Sequence, residues 1–368
     1  MTQSEVKVSS EVLSEFAKEI FVRLGMSPED AATEAAVLIW ANLRGVDSHG
    51  VLRIPWYVGN VDKGIMNPKP NIKVVKETPA TLVVESDQAF GPVVTVFAMN
   101  RVMEKAKKVG IGWAFICNHT HQGAMGFYSQ MAANNDMAGI VFVCSPPNMA
   151  PYGARAAGIS NSPITIAVPA KRHRVLFLDM ATSVAARGKI WLAVDKGVPI
   201  PEGWALDKEG KPTTDPSQAV IFLPISGPKG SGLALLFECI SSVVVGNPLL
   251  EPRLSGKEVE PASPTDKTEV KGSHPDHVPR PIQNSVVTAI DIGTFTDVDG
   301  YKEHIDNLID GLKALPKAEG VSEIFVPGEP EERAFDDRSR NGIPLPEGTI
   351  RNLRSIAERF SIKLPPGL

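Results

Sequence analysis

The sequence contains little cysteine and no long uninterrupted apolar run. Its three cysteines, Cys117, Cys144 and Cys239, are too few and too scattered for a disulfide framework or a metal site built from paired cysteines. The apolar run from Leu233 to Val245 is interrupted by Glu238 and is shorter than the roughly 20 residues of a membrane helix. The first residues also lack the basic-then-apolar order of a signal peptide. We therefore expect a cytoplasmic protein without a membrane partner.

The sequence also lacks a strong excess of charge of either sign. Its formal net charge is -4, and a general nucleic-acid binder would need a basic surface instead. Hydrophobic residues make up 43% of the chain and charged residues 22%, which is typical of a globular protein. The length of 368 residues is sufficient for two or three domains.

The common nucleotide-binding fingerprints are absent as well. Gly110-Ile-Gly112 follows a helical pattern and enters a strand pattern, which is the wrong order for a dinucleotide-binding glycine loop. In the stretch from Gly227 to Gly232, Lys229 precedes the final glycines, whereas a Walker A lysine follows them. A standard Rossmann domain is therefore disfavoured.

The hydrophobic periodicity predicts helices at the N-terminus and then alternating strands and helices. Helices are expected at about 10–24, 27–43, 50–63, 93–108, 124–134, 183–194, 232–245, 298–314 and 346–360. Strands are expected at about 72–75, 81–84, 111–117, 138–144, 164–168, 175–178 and 285–292. This order is typical of an α/β core.

Ser48, His49 and Arg53 lie together between two of the predicted helices. If Asp47 or Ser48 caps a new helix, His49 and Arg53 are four residues apart on one helical face. An imidazole can move a proton, and a guanidinium beside it can hold a carboxylate through two parallel hydrogen bonds. Without further support, the simpler interpretation is that Asp47 and Ser48 cap a helix while the other two side chains face solvent.

A second histidine pair, His119 and His121, lies where a predicted strand ends. Ligands of α/β proteins bind at the carboxyl ends of strands, so this position favours a binding site. The His-x-His spacing is also compatible with metal ligands, but the sequence offers no third ligand nearby, and we predict no metal site. The alternative is that His119 simply occupies a turn.

Several motifs resemble those of the malate/L-lactate dehydrogenase type-2 family of nicotinamide-dependent oxidoreductases. Residues 44–53 match R-G-x-x-S-H-G-x-x-R, and residues 179–189 match D-M-A-T-S-x-x-x-R-G-K. Residues 227–233 match G-x-K-G-x-G-L, and residues 327–330 match the family near the C-terminus. His121 and Gly123 match an N-H-F-G turn in which Gln122 replaces the usual aromatic residue. The matches extend in unbroken order from about residue 9 to about residue 360.

The resemblance implies a fold and a domain arrangement. The fold would be α/β, with the distinct non-Rossmann nicotinamide-binding architecture of that family and a helical domain built from both termini. We expect residues 1–70 to form a helical segment that packs with residues 298–368. Residues 71–297 would form the central cofactor-binding domain, including an irregular excursion at 247–284.

The resemblance also implies an activity. A homodimeric enzyme would move a hydride between NAD or NADP and C2 of a small 2-hydroxy or 2-oxo carboxylate. The predicted catalytic residues are His49, His121, Arg53, Ser48 and Lys189. The predicted cofactor-binding residues are Gly123, Asn161, Asp179, Ser183, Arg187, Lys229, Gly230 and Glu329. Thr182 and Ser183 would offer free backbone N–H groups to a phosphate at a helix start.

Arg53 is assigned to the substrate carboxylate, and either His49 or His121 to the proton. Local helix geometry favours His49, because it would lie one turn from Arg53 whereas His121 must be brought near by the fold. A reductase of a cyclic imino acid or diketo-sugar acid on the same site is the alternative activity. A metal-dependent hydrolase and a non-catalytic binder of small acids are the alternatives from other functional classes.

Overall fold

The computed structural model describes residues 6–256 and 282–368, and it has a mixed seven-stranded sheet at its centre. The strands are, in chain order, β1 (Val6–Val8), β2 (Lys73–Glu77), β3 (Thr81–Glu85), β4 (Ile111–His119), β5 (Met137–Cys144), β6 (Ile164–Val168), β7 (Leu176–Met180), β8 (Ala205–Leu206), β9 (Pro212–Thr213), β10 (Ile221–Phe222), β11 (Gln283–Asp291) and β12 (Ile343–Leu345).

Helices flank this sheet and dominate both ends of the chain. They are α1 (Ser10–Arg23), α2 (Pro28–Leu43), α3 (Ile54–Asp62), α4 (Gly91–Val109), α5 (Gly126–Ala133), α6 (Arg187–Lys196), α7 (Pro228–Ser241), α8 (Glu251–Leu254), α9 (Val298–Lys313), α10 (Glu329–Asn341) and α11 (Glu347–Phe360). The first two begin as expected, since the Ser9 and Ser27 hydroxyls accept hydrogen bonds from backbone N–H groups of the first turn.

The central sheet has the spatial order β2-β3-β4-β11-β5-β6-β7. β3 and β4 are parallel and are joined through α4, because a parallel pair needs a long crossover, whereas the other neighbouring strands are antiparallel. Gly110 ends α4 with a left-handed φ of 87°, the conformation that glycine adopts without steric cost. The α/β prediction and the non-Rossmann fold are confirmed.

The N-terminal helices share a core with the C-terminal helix. Leu13, Ile20 and Leu38 from α1 and α2 are buried in the same apolar cluster as Leu353 of α11. β1 pairs with β12 in antiparallel register, which also joins the two ends of the chain. α9 lies elsewhere, against the β6–β7 connection, where Asp306 accepts hydrogen bonds from the N–H groups of residues 171–173.

The starts of α6 and α7 differ from the predictions. The helix expected at 183–194 begins only at Arg187, because Ser183 lies in an extended segment that forms a β-bridge with Pro224. The helix expected at 232–245 begins at Pro228, where proline is favourable in the first turn, and α7 ends at Ser241.

α10 was not predicted, and the irregular excursion is only partly described. α10 contains no buried residue, so it lacks the apolar periodicity that reveals a helix. Of the expected excursion at 247–284, residues 251–254 form α8 and the last two residues belong to β11. Residues 257–281 lie outside the described residues.

The stretch Pro228–Val245 is long and apolar enough to cross a membrane by length and composition alone. Only a third of this stretch is buried. It exceeds the apolar run from Leu233 to Val245 noted in the sequence, because the helix already starts at Pro228. One side packs on the sheet, where Phe237 stacks on Phe142 of β5 at 4.5 Å between ring centroids. Much of the remaining apolar surface of α7 is exposed.

Candidate active site

The segment that carries Ser48, His49 and Arg53 is not the continuous α-helix that was predicted. Asp47–His49 and Val51–Arg53 form two 3-10 turns, and α3 begins only at Ile54. Pro55 in the first turn of α3 marks the true helix start, since proline cannot donate the hydrogen bond that an earlier start would require. The four-residue spacing on a single helical face is therefore wrong as a description of His49 and Arg53.

The two 3-10 turns nevertheless keep Ser48, His49 and Arg53 together. Arg53 Nε donates to the Ser48 carbonyl oxygen at 2.7 Å, and the Ser48 hydroxyl lies 2.9 Å from His49 Nδ1. Arg53 is only 6% exposed, and Trp191 of α6 covers its guanidinium at 4.6 Å from the ring centroid. Because Nε is used by Ser48, the two terminal nitrogens of Arg53 remain for a ligand.

His121 lies beside His49, although 72 residues separate them in the sequence. The two imidazoles are stacked, with ring centroids 5.5 Å apart and an angle of 15° between the planes. His121 Nδ1 lies 2.8 Å from the Tyr57 hydroxyl and 3.2 Å from the Gly123 nitrogen, whose N–H it accepts only in the tautomer that is unprotonated at Nδ1. These contacts to Nδ1 fix the ring and leave Nε2 as its free nitrogen.

Both imidazoles are held in the neutral form. Desolvation and the neighbouring Arg53 lower the pKa of His49 to about 3. Desolvation lowers the pKa of His121 well below its usual value, and the nearby Arg53 and His49 lower it further. Burial is the main cause of the lowered pKa in both rings. A neutral imidazole is the state that can accept a proton.

His119 and Gln122 are buried in the protein interior. His119 is fully buried, and its Nδ1 contacts the Thr120 carbonyl oxygen at 2.7 Å. Gln122 donates to the hydroxyls of Thr95 and Ser285. The replacement of an aromatic residue by Gln122 therefore changes the protein interior. Among the residues that the structure describes, no group of three or more His, Cys, Asp or Glu side chains could hold a metal ion.

The start of α6 packs directly on the 3-10 turns. A Cβ on Gly188 would lie 2.1 Å from the Ser48 Cβ, so only glycine allows this close approach. Arg187, the preceding residue, is among the groups that lower the pKa of both Arg53 and His121 by their positive charge. Its guanidinium lies 5.5 Å from the Phe222 ring centroid. Lys189 is exposed on the same helix turn.

The motifs at residues 179–189 and 227–233 lie against each other, but Thr182 and Ser183 do not form the helix start that was predicted. The Thr182 N–H donates to the Asn161 carbonyl oxygen, and the Ser183 hydroxyl donates to the Ala185 carbonyl oxygen. The expectation that Thr182 and Ser183 present free N–H groups at a helix start is wrong, because the chain is still extended there and the Thr182 N–H is already bonded. The Thr182 hydroxyl, by contrast, is buried without a hydrogen-bond partner.

Gly230 and Lys229 belong to this same region. A Cβ on Gly230 would lie 2.4 Å from the Ile225 carbonyl oxygen and 2.8 Å from that of Thr182, so this glycine permits backbone packing. Lys229 is exposed at the first turn of α7. The structure thus brings together Asn161, Ser183 and Gly230 from three separate motifs.

Asp179 and Glu329 are engaged within the protein. Asp179 Oδ2 accepts from the Gly126 N–H at 2.7 Å and so caps the start of α5, close to the loop that carries His121. Glu329 accepts from Lys313 Nζ at 2.5 Å and from the Val326 N–H at 3.0 Å. Each oxygen of its carboxylate is therefore engaged by a protein group.

Sequence reasoning gave no role to three aromatic residues around the site. Tyr57 contacts His121, Trp56 meets the edge of the same ring at 5.6 Å, and Trp191 covers Arg53. Tyr57 follows the His49 motif closely in the sequence, and that proximity was the available signal. Trp191 carried none, because its contact depends on how α6 docks.

Comparison with known proteins gives a consistent result. The malate/L-lactate dehydrogenase family profile matches residues 8–354. L-sulfolactate dehydrogenase of Methanocaldococcus jannaschii is 38% identical over 349 residues, which are 94% of this chain and 95% of the relative. Malate/(S)-sulfolactate dehydrogenase of Methanothermus fervidus is 32% identical, covering 94% and 96% of the two chains. The crystal structure of malate dehydrogenase from Entamoeba histolytica superposes with a TM-score of 0.87 at 26% identity, covering 98% of this chain and 100% of that one.

Proposed function

Because the chain belongs to the malate/L-lactate dehydrogenase family, it is a dehydrogenase of 2-hydroxy acids, and we propose that the cluster of Arg53 and the stacked histidines is its active site. The observation that carries the proposal is the placement of a buried arginine with free terminal nitrogens beside two neutral imidazoles. In the overall reaction, a 2-hydroxy acid and oxidised NAD or NADP give a 2-oxo acid, the reduced cofactor and a proton.

Arg53 binds the substrate carboxylate in this proposal. A guanidinium recognises a carboxylate through two parallel hydrogen bonds, and the two terminal nitrogens of Arg53 remain available for them. The bond from Nε to Ser48 and the Trp191 ring hold the guanidinium plane in place before the substrate arrives. Binding an anion here also neutralises a charge that lowers the pKa of both histidines.

His121 is proposed to accept the hydroxyl proton, with His49 holding the substrate oxygen. The geometric reason for preferring His49 no longer applies, because the fold stacks His121 directly on it. In the tautomer protonated at Nδ1, that N–H donates to the Tyr57 hydroxyl in place of the bond from the Gly123 N–H, and the Nε2 lone pair is the base. Nδ1 of His121 has two contacts where that of His49 has one, so its orientation is more firmly fixed.

The cofactor is proposed to lie along the segments that meet near Thr182. The fit rests on the unpartnered buried hydroxyl of Thr182 and on the cations Lys189 and Lys229 in these motifs. Arg187, expected at the cofactor, is assigned to the substrate instead because its charge acts on Arg53 and His121. Cationic side chains at a phosphate-binding surface pair with the pyrophosphate. When bound, NAD or NADP accepts the hydride, while Gly123, Asn161, Asp179, Ser183 and Gly230 shape the walls. Glu329, which accepts from Lys313 Nζ, is proposed to contribute only by holding that lysine.

The substrate is proposed to carry a second acidic group. Arg187 adds a positive charge near Arg53 and His121, so the site offers two guanidiniums to one small molecule. The named substrates of the two relatives, sulfolactate and malate, both have a carboxylate and a second anionic group. A 2-hydroxy dianion of this size is therefore favoured over lactate.

A homodimer in the cytoplasm is proposed as the working form. α6 and α7 expose several large apolar side chains, namely Trp191, Leu192, Val194, Leu233, Leu235, Leu236 and Ile240. Large exposed apolar patches mark association surfaces, and a second copy of this chain would cover them. Sedimentation velocity would give a dimer, and a Leu236→Asp variant would shift it toward the monomer. The three cysteines form no disulfide, which suits a reducing compartment.

A substrate panel tests the proposed function. Sulfolactate, malate, lactate and ureidoglycolate would be oxidised with NAD and with NADP, and cyclic imino acids and diketo-sugar acids would be offered with the reduced cofactors. We expect kcat/KM to be highest for malate or sulfolactate, and Arg187→Gln to lower this value more for malate than for lactate. Preference for an imino acid or a diketo-sugar acid would support the alternative reductase instead.

A further inference from the structure

The structure assigns a positioning role to Arg338 on α10: through Asp47 it holds the turns that carry Ser48, His49 and Arg53. Arg338 donates from both terminal nitrogens to the two Asp47 carboxylate oxygens, at 2.6 and 3.0 Å. It also donates to the Asn42 carbonyl oxygen at the end of α2. The Arg338 side chain is 15% exposed and that of Asp47 38% exposed, so the pair is shielded from water mainly on the arginine side.

Asn42 extends the contact from Asp47 into the backbone of the turns. Its amide nitrogen donates to Asp47 Oδ1 at 2.6 Å, and its Oδ1 accepts from the Val51 N–H at 2.9 Å. A Cβ on Gly50 would lie 2.2 Å from this same side chain. Arg338, Asp47 and Asn42 thus form a clamp, which we call the Asp47 clamp, around the two 3-10 turns.

The turns need such an external support. Their own hydrogen bonds are short-range, from His49 N–H to Val46, from Gly50 N–H to Asp47 and from Arg53 N–H to Gly50. Turns of this kind have poorer hydrogen-bond geometry than an α-helix and are used only in short pieces. The position of His49 and Arg53 relative to His121 therefore depends on groups outside the turns.

α10 packs along the end of α2 and the residues that follow it through three contacts. Glu332 pairs with Arg44 at 3.0 Å, Ala334 faces Gly45, and Arg338 reaches Asp47 one turn further along. A bidentate guanidinium–carboxylate pair supplies direction as well as charge. Lysine at position 338 could make one of these bonds but not the planar pair. The C-terminal region of the chain thereby sets the geometry of the proposed active site.

This inference rests on the proposed function for its kinetic consequence, but the positioning itself can be measured without activity. Hydrogen exchange of a peptide spanning residues 46–53 should be about tenfold or more faster in Arg338→Met than in the wild type, since one charge-assisted pair is lost. Arg340→Met, an exposed arginine on the same helix, is the matched control and should leave this exchange unchanged.

The kinetic readout uses the best substrate of the panel. Arg338→Met should lose roughly tenfold to a hundredfold in kcat/KM, mainly through KM because Arg53 is displaced, while the cofactor Kd stays unchanged. Arg338→Lys should retain part of this value, and millimolar guanidinium ion should restore part of it in Arg338→Ala. The loss in Asp47→Asn with Arg338→Met should not exceed that of Asp47→Asn alone, because both act through one pair.

The outcomes separate the inference from the proposed function. Unchanged exchange at residues 46–53 in Arg338→Met, or additive losses in the double variant, would overturn the positioning role. A wild-type protein that oxidises no 2-hydroxy acid while the exchange still rises in Arg338→Met would refute the proposed function and retain the clamp. If Arg338→Met does not fold, Arg338→Lys and Asp47→Asn supply the same two comparisons.

Discussion

Arg53→Lys gives the sharpest prediction for the proposed substrate site. The variant keeps the positive charge but loses the planar arrangement of donors. In the wild type, Nε bonds to Ser48 at 2.7 Å while two terminal nitrogens remain for a carboxylate. A single lysine nitrogen cannot serve both directions, so at least one charge-assisted hydrogen bond is lost.

The expected size of the effect follows from that bond. A hydrogen bond to a charged group contributes roughly 1.5–3 kcal/mol, and each 1.36 kcal/mol is a factor of ten in rate. We expect kcat/KM for the best substrate to fall by about tenfold to more than a hundredfold. The loss of the Trp191 contact would add to it, because lysine lacks the flat guanidinium that lies over this ring.

The assay follows absorbance of the reduced cofactor over a range of substrate concentrations. Arg351→Lys, at an exposed position on α11, is the matched control and should behave as the wild type. Calorimetry should give the same cofactor Kd for Arg53→Lys as for the wild type, because the change concerns the carboxylate alone. Unimpaired turnover by Arg53→Lys would remove Arg53 from the substrate site.

Three further predictions follow from the same structure. NADH or NADPH should raise the melting temperature by mass action, and calorimetry that detects no binding of either at millimolar concentration would refute the cofactor proposal. His121→Asn should lose roughly 10²–10⁴ in turnover and also lose the acid limb of the pH–rate profile. His49→Asn should keep that limb but move it to higher pH, because His49 helps to lower the pKa of His121. The reverse pattern would exchange the two roles. Burial raises the pKa of Glu34 in the folded state well above its usual value of 4.5. As pH rises above 4.5 the unfolded state releases this proton first, so the folded state loses stability. Glu34→Gln should therefore raise the melting temperature more at pH 8 than at pH 5, and an equal change at both would show that Glu34 is already ionised in the folded protein.

The sequence predicted the elements that have strong local signals. α1 and α2 begin at Ser9 and Ser27 as expected, since the caps and the apolar periodicity agree. α10 was missed because its contacts are made by charged side chains such as Glu332 and Arg338, which leave no apolar pattern. The start of α6 was misplaced because a β-bridge at Ser183 keeps the chain extended, and such pairing has no local signal.

The site was partly predictable for the same physical reasons. Ser48, His49 and Arg53 are close in sequence, so their grouping could be inferred even though the helix was wrong. The position of His121 next to His49 depends on the order of the strands around β4, and only the family resemblance indicated that these two residues share a site. The contacts of Trp191 and Arg338 arise from the docking of α6 and α10, where distant parts of the chain meet.

Deuterium transfer tests the central claim most directly. A 2-hydroxy dianion deuterated at C2, such as malate, would be oxidised by the protein with NAD or NADP, and the reduced cofactor would be analysed by mass spectrometry. Direct hydride transfer at this site predicts a reduced cofactor one mass unit heavier than that formed from unlabelled substrate. Reduced cofactor that carries only solvent hydrogen, or no reduced cofactor with any acid of the panel, would contradict the account.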